Sequence, residues 1–168
     1  MKIQFFNLTT NNKGYTLVEL LLYFALVSLL FIQLTSLFIT VLEAKQDAHA
    51  TSAVERDGQF ILARLSYDIQ RATVVVTPAS LGQQTSELQL TINGTTYLYH
   101  VVNNVLVLTR GGENLVLSSE TQTTNFTVQR FGNLGGKHSI KISFDAVSPI
   151  QEAGTQESRT YQTTVGLR

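Results

Sequence analysis

Lys13-Gly14-Tyr15-Thr16-Leu17-Val18-Glu19-Leu20-Leu21 opens a stretch in which nearly every side chain from Leu20 to Leu42 is apolar, Ser or Thr. Residues 20–42 contain no Asp, Glu, Lys or Arg. As a helix rising 1.5 Å per residue, such a run reaches roughly 34 Å, enough to cross a hydrocarbon core of about 30 Å. A secretory signal has an apolar stretch of only about 7–15 residues, closed by a small-x-small cleavage site. Here the run is too long. The next small cluster, Ala48-His49-Ala50, lies beyond Glu43, Lys45 and Asp47. The segment therefore reads as a retained anchor. Lys2 and Lys13 precede it with no acid, which predicts a cytoplasmic N-terminal side and residues 43–168 outside.

Glu19 interrupts this picture at the edge of the apolar run. A carboxylate at membrane depth is costly unless paired, which makes it a functional candidate. An interfacial acid reaching headgroup water is the alternative, and position alone does not separate the two.

The order of residues 13–21 resembles the prepilin cleavage and methylation motif of type IV pilins and type II secretion pseudopilins. In that family a prepilin peptidase cuts after the glycine and methylates the new N-terminus, and a glutamate at the fifth mature position guides assembly. The resemblance implies that Gly14 ends a leader of residues 1–14, that Tyr15 becomes the N-methylated residue, and that Glu19 is the assembly glutamate. It covers about nine residues and the apolar run behind them. Glycine has no side chain and lets a protease approach the backbone closely. Cutting there creates an amine at Tyr15 that Glu19 of a neighbouring subunit can neutralise, which selects register as well as adding attraction. Three departures stand out. Tyr15 replaces the family's usual phenylalanine. The leader, with Phe5 and Phe6, is longer than the shortest known to the family. Ser36 occupies the position where major pilins often carry proline, and this points to a minor pilin or minor pseudopilin.

The rest of the chain reads as an ordinary globular sequence. Residues 43–72 contain no proline and one glycine, Gly58. Ala53, Val54, Ile61, Leu62, Leu65, Ile69 and Ala72 recur at helical spacing, with Glu55, Arg56, Asp57, Arg64, Asp68 and Arg71 expected on other faces. This predicts an amphipathic continuation of the membrane helix, with Gly58 either a bend or a tolerated glycine. A continuous helix over residues 15–72 would be roughly 87 Å long. From residue 73 the period shortens. Strands are expected over 73–77, 86–93, 96–102, 105–110, 115–118, 125–131, 139–147 and 160–167. Asn93-Gly94 and Asn103-Asn104 are two-residue hairpin turns, and residues 148–157 are a polar loop. The expected fold is α+β: a long N-terminal transmembrane helix (15–42), its amphipathic continuation (43–72), and a β-rich extracytoplasmic domain (73–168) forming an antiparallel sheet against the helix. The family resemblance implies the same pilin-like architecture.

Composition narrows the chemistry. The chain has no cysteine, which removes disulfides and thiolate sites. It carries 12 basic and 12 acidic residues; loss of Lys2 and Lys13 with the leader leaves ten against 12, a net of −2. Such a balance gives no general pull toward nucleic acid. His49, His100 and His138 are scattered without ligand spacing, and Asp145, Glu152 and Glu157 form no calcium-loop pattern. The glycine pairs precede strands, not helices, so they are turns and not phosphate loops. The N-x-Thr sequences at Asn7, Asn93 and Asn125 are read as chance. No nucleophile motif, catalytic set, cofactor or metal is expected. Arg110, Arg130, Lys137 and Lys141 beside Tyr97, Tyr99 and Phe131 form a candidate basic patch for DNA, weighed against a solvated sheet face.

The sequence thus leads to a structural subunit, not an enzyme. Its expected partners are a prepilin peptidase, other pilin or pseudopilin subunits and membrane lipid. It would sit in a bacterial inner or cytoplasmic membrane and then in a type II secretion pseudopilus or type IV pilus. A competence or adhesion pilin binding DNA or a surface, and an anchored domain that never polymerises, are the alternatives.

Overall fold

The computed structural model describes residues 14–152 and 155–167. Residues 1–13, and with them Lys2, Lys13 and most of the expected leader, lie outside the described residues. Among the described residues a single helix, α1 (Leu17–Arg71), is followed by nine strands. The chain divides into two compact units, Met1–Glu43 and Ala44–Arg168, and α1 contributes to both.

In the first unit α1 is apolar all round, and none of residues 17–42 is buried. Its most apolar window has a mean hydropathy of 2.3, a helix long and apolar enough to span a membrane. Three of its hydroxyls are met locally: Ser28 Oγ donates to Phe24 O (2.7 Å), Thr35 Oγ1 to Phe31 O (2.8 Å) and Thr40 Oγ1 to Ser36 O (3.1 Å). A hydroxyl folded back on the carbonyl four residues earlier needs no water, so these residues suit a helix in lipid.

In the second unit the sequence turns amphipathic, and α1 buries Ala50, Ala53, Val54, Asp57, Gly58, Ile61, Leu65, Asp68 and Ile69. The apolar members follow the expected stripe. Asp57 and Asp68 were expected on other faces but lie 4% and 1% exposed. Asp57 accepts four hydrogen bonds and Asp68 two, described below.

The strands form two antiparallel sheets where one was expected. The five-stranded sheet has the order β1-β3-β4-β5-β6 (Val74–Thr77, Leu88–Ile92, Thr95–Val102, Val105–Arg110, Glu113–Val116). The four-stranded sheet has the order β2-β7-β8-β9 (Gln84–Thr85, Gln122–Gly132, His138–Glu152, Thr155–Gly166). Three hairpins build the first sheet through two-residue turns. Both turn residues have positive φ at Asn93-Gly94 (51°, 78°), Asn103-Asn104 (51°, 62°) and Gly111-Gly112 (58°, 90°). Those angles match the turn whose twist suits paired strands, which is why Asn and Gly stand there. Strand alternation then sends Leu88, Leu90, Ile92, Tyr97, Tyr99, Leu106 and Leu108 inward. In the second sheet Phe126, Val128, Ile140, Ile142, Phe144 and Val165 do the same, and all join the helix stripe in one core.

The expected loop at 148–157 is largely strand. β8 continues to Glu152 and β9 begins at Thr155, with the register shifting between Val147 and Gln151. Pro149 lies inside that shift. Proline cannot donate to a ladder, so it is accommodated at an irregularity and does not end the strand. Strand β2, two residues long, gave no periodic signal.

Candidate functional site

The candidate site is the start of α1. Gly14, Tyr15 and Thr16 precede the helix, which begins at Leu17. Tyr15 is 80% exposed. A Cβ built on Gly14 meets nothing within 4 Å among the described residues. The fold itself therefore makes no steric demand for glycine at this position.

Thr16 caps the helix. Its Oγ1 accepts from the Glu19 N–H (3.3 Å), and its carbonyl accepts from the Leu20 N–H (3.1 Å). Thr16-Leu17-Val18-Glu19 has the capping-box spacing, in which a glutamate three residues after the cap also favours the positive end of the helix dipole. The T-x-x-E pattern ahead of an apolar run could have found this from the sequence. Among the described residues the Glu19 carboxylate forms no ion pair and accepts no hydrogen bond from another side chain. With Tyr15, Leu20 and Tyr23 it lines a hollow of about 400 Å³. The exposed junction, the cap and the acid are thus gathered within two turns of one another.

The other residues singled out in the sequence are dispersed. Tyr99 is fully buried and donates its hydroxyl to Asp68 Oδ2. Burial, reinforced by that carboxylate, pushes the Tyr99 phenol well above its ordinary value. Arg64 Nε also donates to Asp68 Oδ2, at 2.9 Å. Arg130 is committed to the backbone: its Nη1 donates to Pro78 O (3.2 Å) and Ala79 O (3.0 Å), and its Nη2 meets His138 Nδ1 at 2.7 Å. Arg110 lies over the Tyr97 ring, 5.2 Å from its centre. It belongs to the five-stranded sheet, while Arg130 and Lys141 belong to the other. Tyr99 and Arg130 are therefore spoken for inside the fold and do not contribute to an open basic face.

His49 is exposed on α1, His100 is half-buried in β4, and His138 pairs with Arg130. Asp145 is occupied by Asn125 Nδ2 (2.7 Å) and Thr160 Oγ1 (2.6 Å). Among the described residues no group of three or more His, Cys, Asp or Glu is placed to hold a metal ion. A cleft of about 520 Å³ is lined by Glu87, His100, Asn104, Thr123, Asn125 and neighbours, without a Lys or Arg.

Two buried features escaped the sequence. Asp57 Oδ2 accepts from the N–H groups of Ser119 (3.2 Å), Glu120 (3.0 Å) and Thr121 (3.2 Å) and from Thr121 Oγ1 (3.0 Å). One carboxylate oxygen thereby fastens the loop after β6 to the helix. Gly58 is neither a bend nor incidental: a Cβ there would lie 2.2 Å from the Tyr161 ring. That ring stacks on Phe144 (5.5 Å between centres) and donates its hydroxyl to Val54 O at 3.1 Å.

Comparison with protein-family models, curated proteins and solved structures returned no match for this chain.

Proposed function

We propose that this chain is a type IV pilin-like structural subunit, a minor pilin or minor pseudopilin. A prepilin peptidase cuts between Gly14 and Tyr15 and methylates Tyr15. The span of α1 holds the mature chain in the membrane with residues 43–168 outside, and then packs beside other subunits in a filament. The observation that carries this reading is the order glycine, aromatic, capping threonine and first-turn glutamate at the start of a helix whose apolar residues 17–42 are none of them buried. An exposed Gly14 that the fold does not require fits a residue kept for an enzyme that must reach the backbone. The exposed apolar surface of residues 17–42 needs lipid or other helices to cover it.

Mass spectrometry of the N-terminus, after expression with a prepilin peptidase, tests the proposal. A chain beginning at N-methyl-Tyr15 is expected. An intact Met1, or a cut after residue 42, would refute it.

The Thr16–Glu19 cap favours one second reading, an anchored domain that never polymerises, with Glu19 serving only the helix end. Glu19→Gln separates the two, because glutamine keeps the cap spacing and removes the charge. Loss of assembly with cleavage intact supports the subunit; unchanged assembly supports the cap alone.

A further inference from the structure

Gln33 lies near the middle of the apolar run, and its amide is the largest polar group there that is not folded back on the helix backbone. Ser28, Thr35 and Thr40 satisfy their hydroxyls on the carbonyl four residues back. Among the described residues Gln33 has no such bond, and it is exposed. A primary amide has two donors and one acceptor oxygen. In hydrocarbon nothing but another polar group can meet them.

The position of Gln33 is not arbitrary. Leu22, Leu26, Leu29, Gln33, Ser36 and Thr40 are separated by four, three, four, three and four residues. That is an unbroken heptad seam, the spacing that keeps one helix face against a partner with left-handed crossing. Leu22, Leu26 and Leu29 are 60%, 55% and 60% exposed, so the seam is open. Ser36 and Thr40, with Thr40 folded back on its own helix, are short enough for a close approach. An amide at one position of such a seam fixes register, because it is met only when it faces another polar group.

We infer that two copies of this chain pair in parallel in the bilayer along this seam, with the two Gln33 amides hydrogen-bonded to each other. A second copy is the occupant that fits because an amide is self-complementary: each supplies the acceptor that the other's donor lacks. Every copy inserts with the same orientation, so the pair is parallel. In register, it sets Gln33 opposite Gln33, with Leu29 above and Ser36 below facing their own counterparts. The pairing needs only the membrane placement of the span. It is independent of cleavage at Gly14 and of filament formation.

The chain has no cysteine, so one introduced thiol reports without background. The full chain is reconstituted in vesicles of phosphatidylethanolamine and phosphatidylglycerol, without peptidase or assembly machinery, and oxidised with copper phenanthroline. Leu29→Cys lies on the seam and Phe24→Cys on the opposite face. The seam variant is expected to form dimers on the order of tenfold faster. Adding Gln33→Leu to Leu29→Cys is expected to weaken association on the order of tenfold, the scale of one interhelical hydrogen bond. Gln33→Asn, which keeps an amide, is expected to retain most of it. Gln33→Leu only makes the span more apolar, so failure to insert does not confound the result. Equal crosslinking on the two faces, or a Gln33→Leu variant that pairs as well as its parent, would overturn the inference. Absence of dimer at high protein-to-lipid ratio would overturn it too, and would leave the cleavage proposal standing.

Discussion

Substituting Gly58 by alanine should destabilise the β-rich unit, against the usual direction for a glycine inside a helix. On an exposed helix the change stabilises by about 1 kcal/mol. Here the new Cβ would sit 2.2 Å from the Tyr161 ring, where carbon atoms normally rest about 3.5–4.0 Å apart. An overlap of that size cannot be absorbed by a small shift, so the ring must leave. Its departure breaks the bond to Val54 O, about 1 kcal/mol. It ends the stacking on Phe144, about another 1 kcal/mol. Uncovering the ring's packed face, which is only partly buried at the outset, adds roughly 1 kcal/mol more. After the helix gain is subtracted, Gly58→Ala should cost about 2 kcal/mol. Scanning calorimetry of the full chain in detergent micelles measures the loss. The decisive step is the double mutant. In a Tyr161→Ala background the obstruction is gone, so Gly58→Ala should become neutral or stabilising by up to about 1 kcal/mol. If Gly58→Ala costs the same in both backgrounds, or costs nothing in the parent, the close approach of ring and helix is not why glycine stands there.

Asp57→Ala should cost roughly 2–4 kcal/mol in the same assay. It strands the buried N–H and hydroxyl of Thr121, while Ser119 and Glu120 can turn to water. The buried Tyr99 phenol predicts an alkaline weakness. Its folded pKa is raised above the ordinary value near 10, so its contribution is complete below pH 10. Above that pH the unfolded chain gives up the proton first, and stability should fall by about 1.4 kcal/mol per pH unit. Tyr99→Phe should flatten that fall in denaturation curves taken at rising pH, leaving a smaller slope from Tyr161, whose phenol burial also raises. Glu19→Val should still be cut between Gly14 and Tyr15 but enter filaments poorly; normal incorporation in an assembly assay would discard the charge-pairing role. Thr16→Ala removes the cap and keeps the acid, so it should lower helicity at residues 17–20 in hydrogen exchange and leave assembly near normal.

How far the sequence could be read depended on whether the signal was periodic. The apolar run, the stripe through Ile61, Leu65 and Ile69, and the Asn-Gly and Asn-Asn turns are local patterns, and each appears where spacing placed it. The division into two sheets is not a local property. β1 pairs with β3 and β2 with β7, and nothing in residues 74–77 or 84–85 states which partner will be chosen. Asp57, Asp68 and Arg130 misled for a related reason. Charge reads as exposure, yet each takes a partner distant in sequence, 64 residues away for Asp57, 31 for Asp68 and 52 for Arg130. A single chain carries no trace of those donors until it is folded.

The two units solve one problem in opposite ways, and the contrast explains why the same helix changes character near residue 43. A helix long and apolar enough to span a membrane is served best by polar side chains that bond its own backbone, as Ser28, Thr35 and Thr40 do. Its outward surface can then be largely apolar, and specificity falls to the few polar groups left over, chief among them Glu19 at one end and Gln33 near the middle. In the second unit the strands and loops come to the helix. Asp57 can take three backbone N–H groups from one loop, and Asp68 can take Tyr99 from β4 and Arg64 from its own helix. Buried acids there tie elements together, and replacing them by leucine would remove the donors' partners along with the charge. Sites of interaction with other molecules are therefore to be sought where polar groups on the exposed apolar part of α1 are unmet. The buried acids of the second unit, Asp57 and Asp68, each spend one carboxylate oxygen on donors inside the fold.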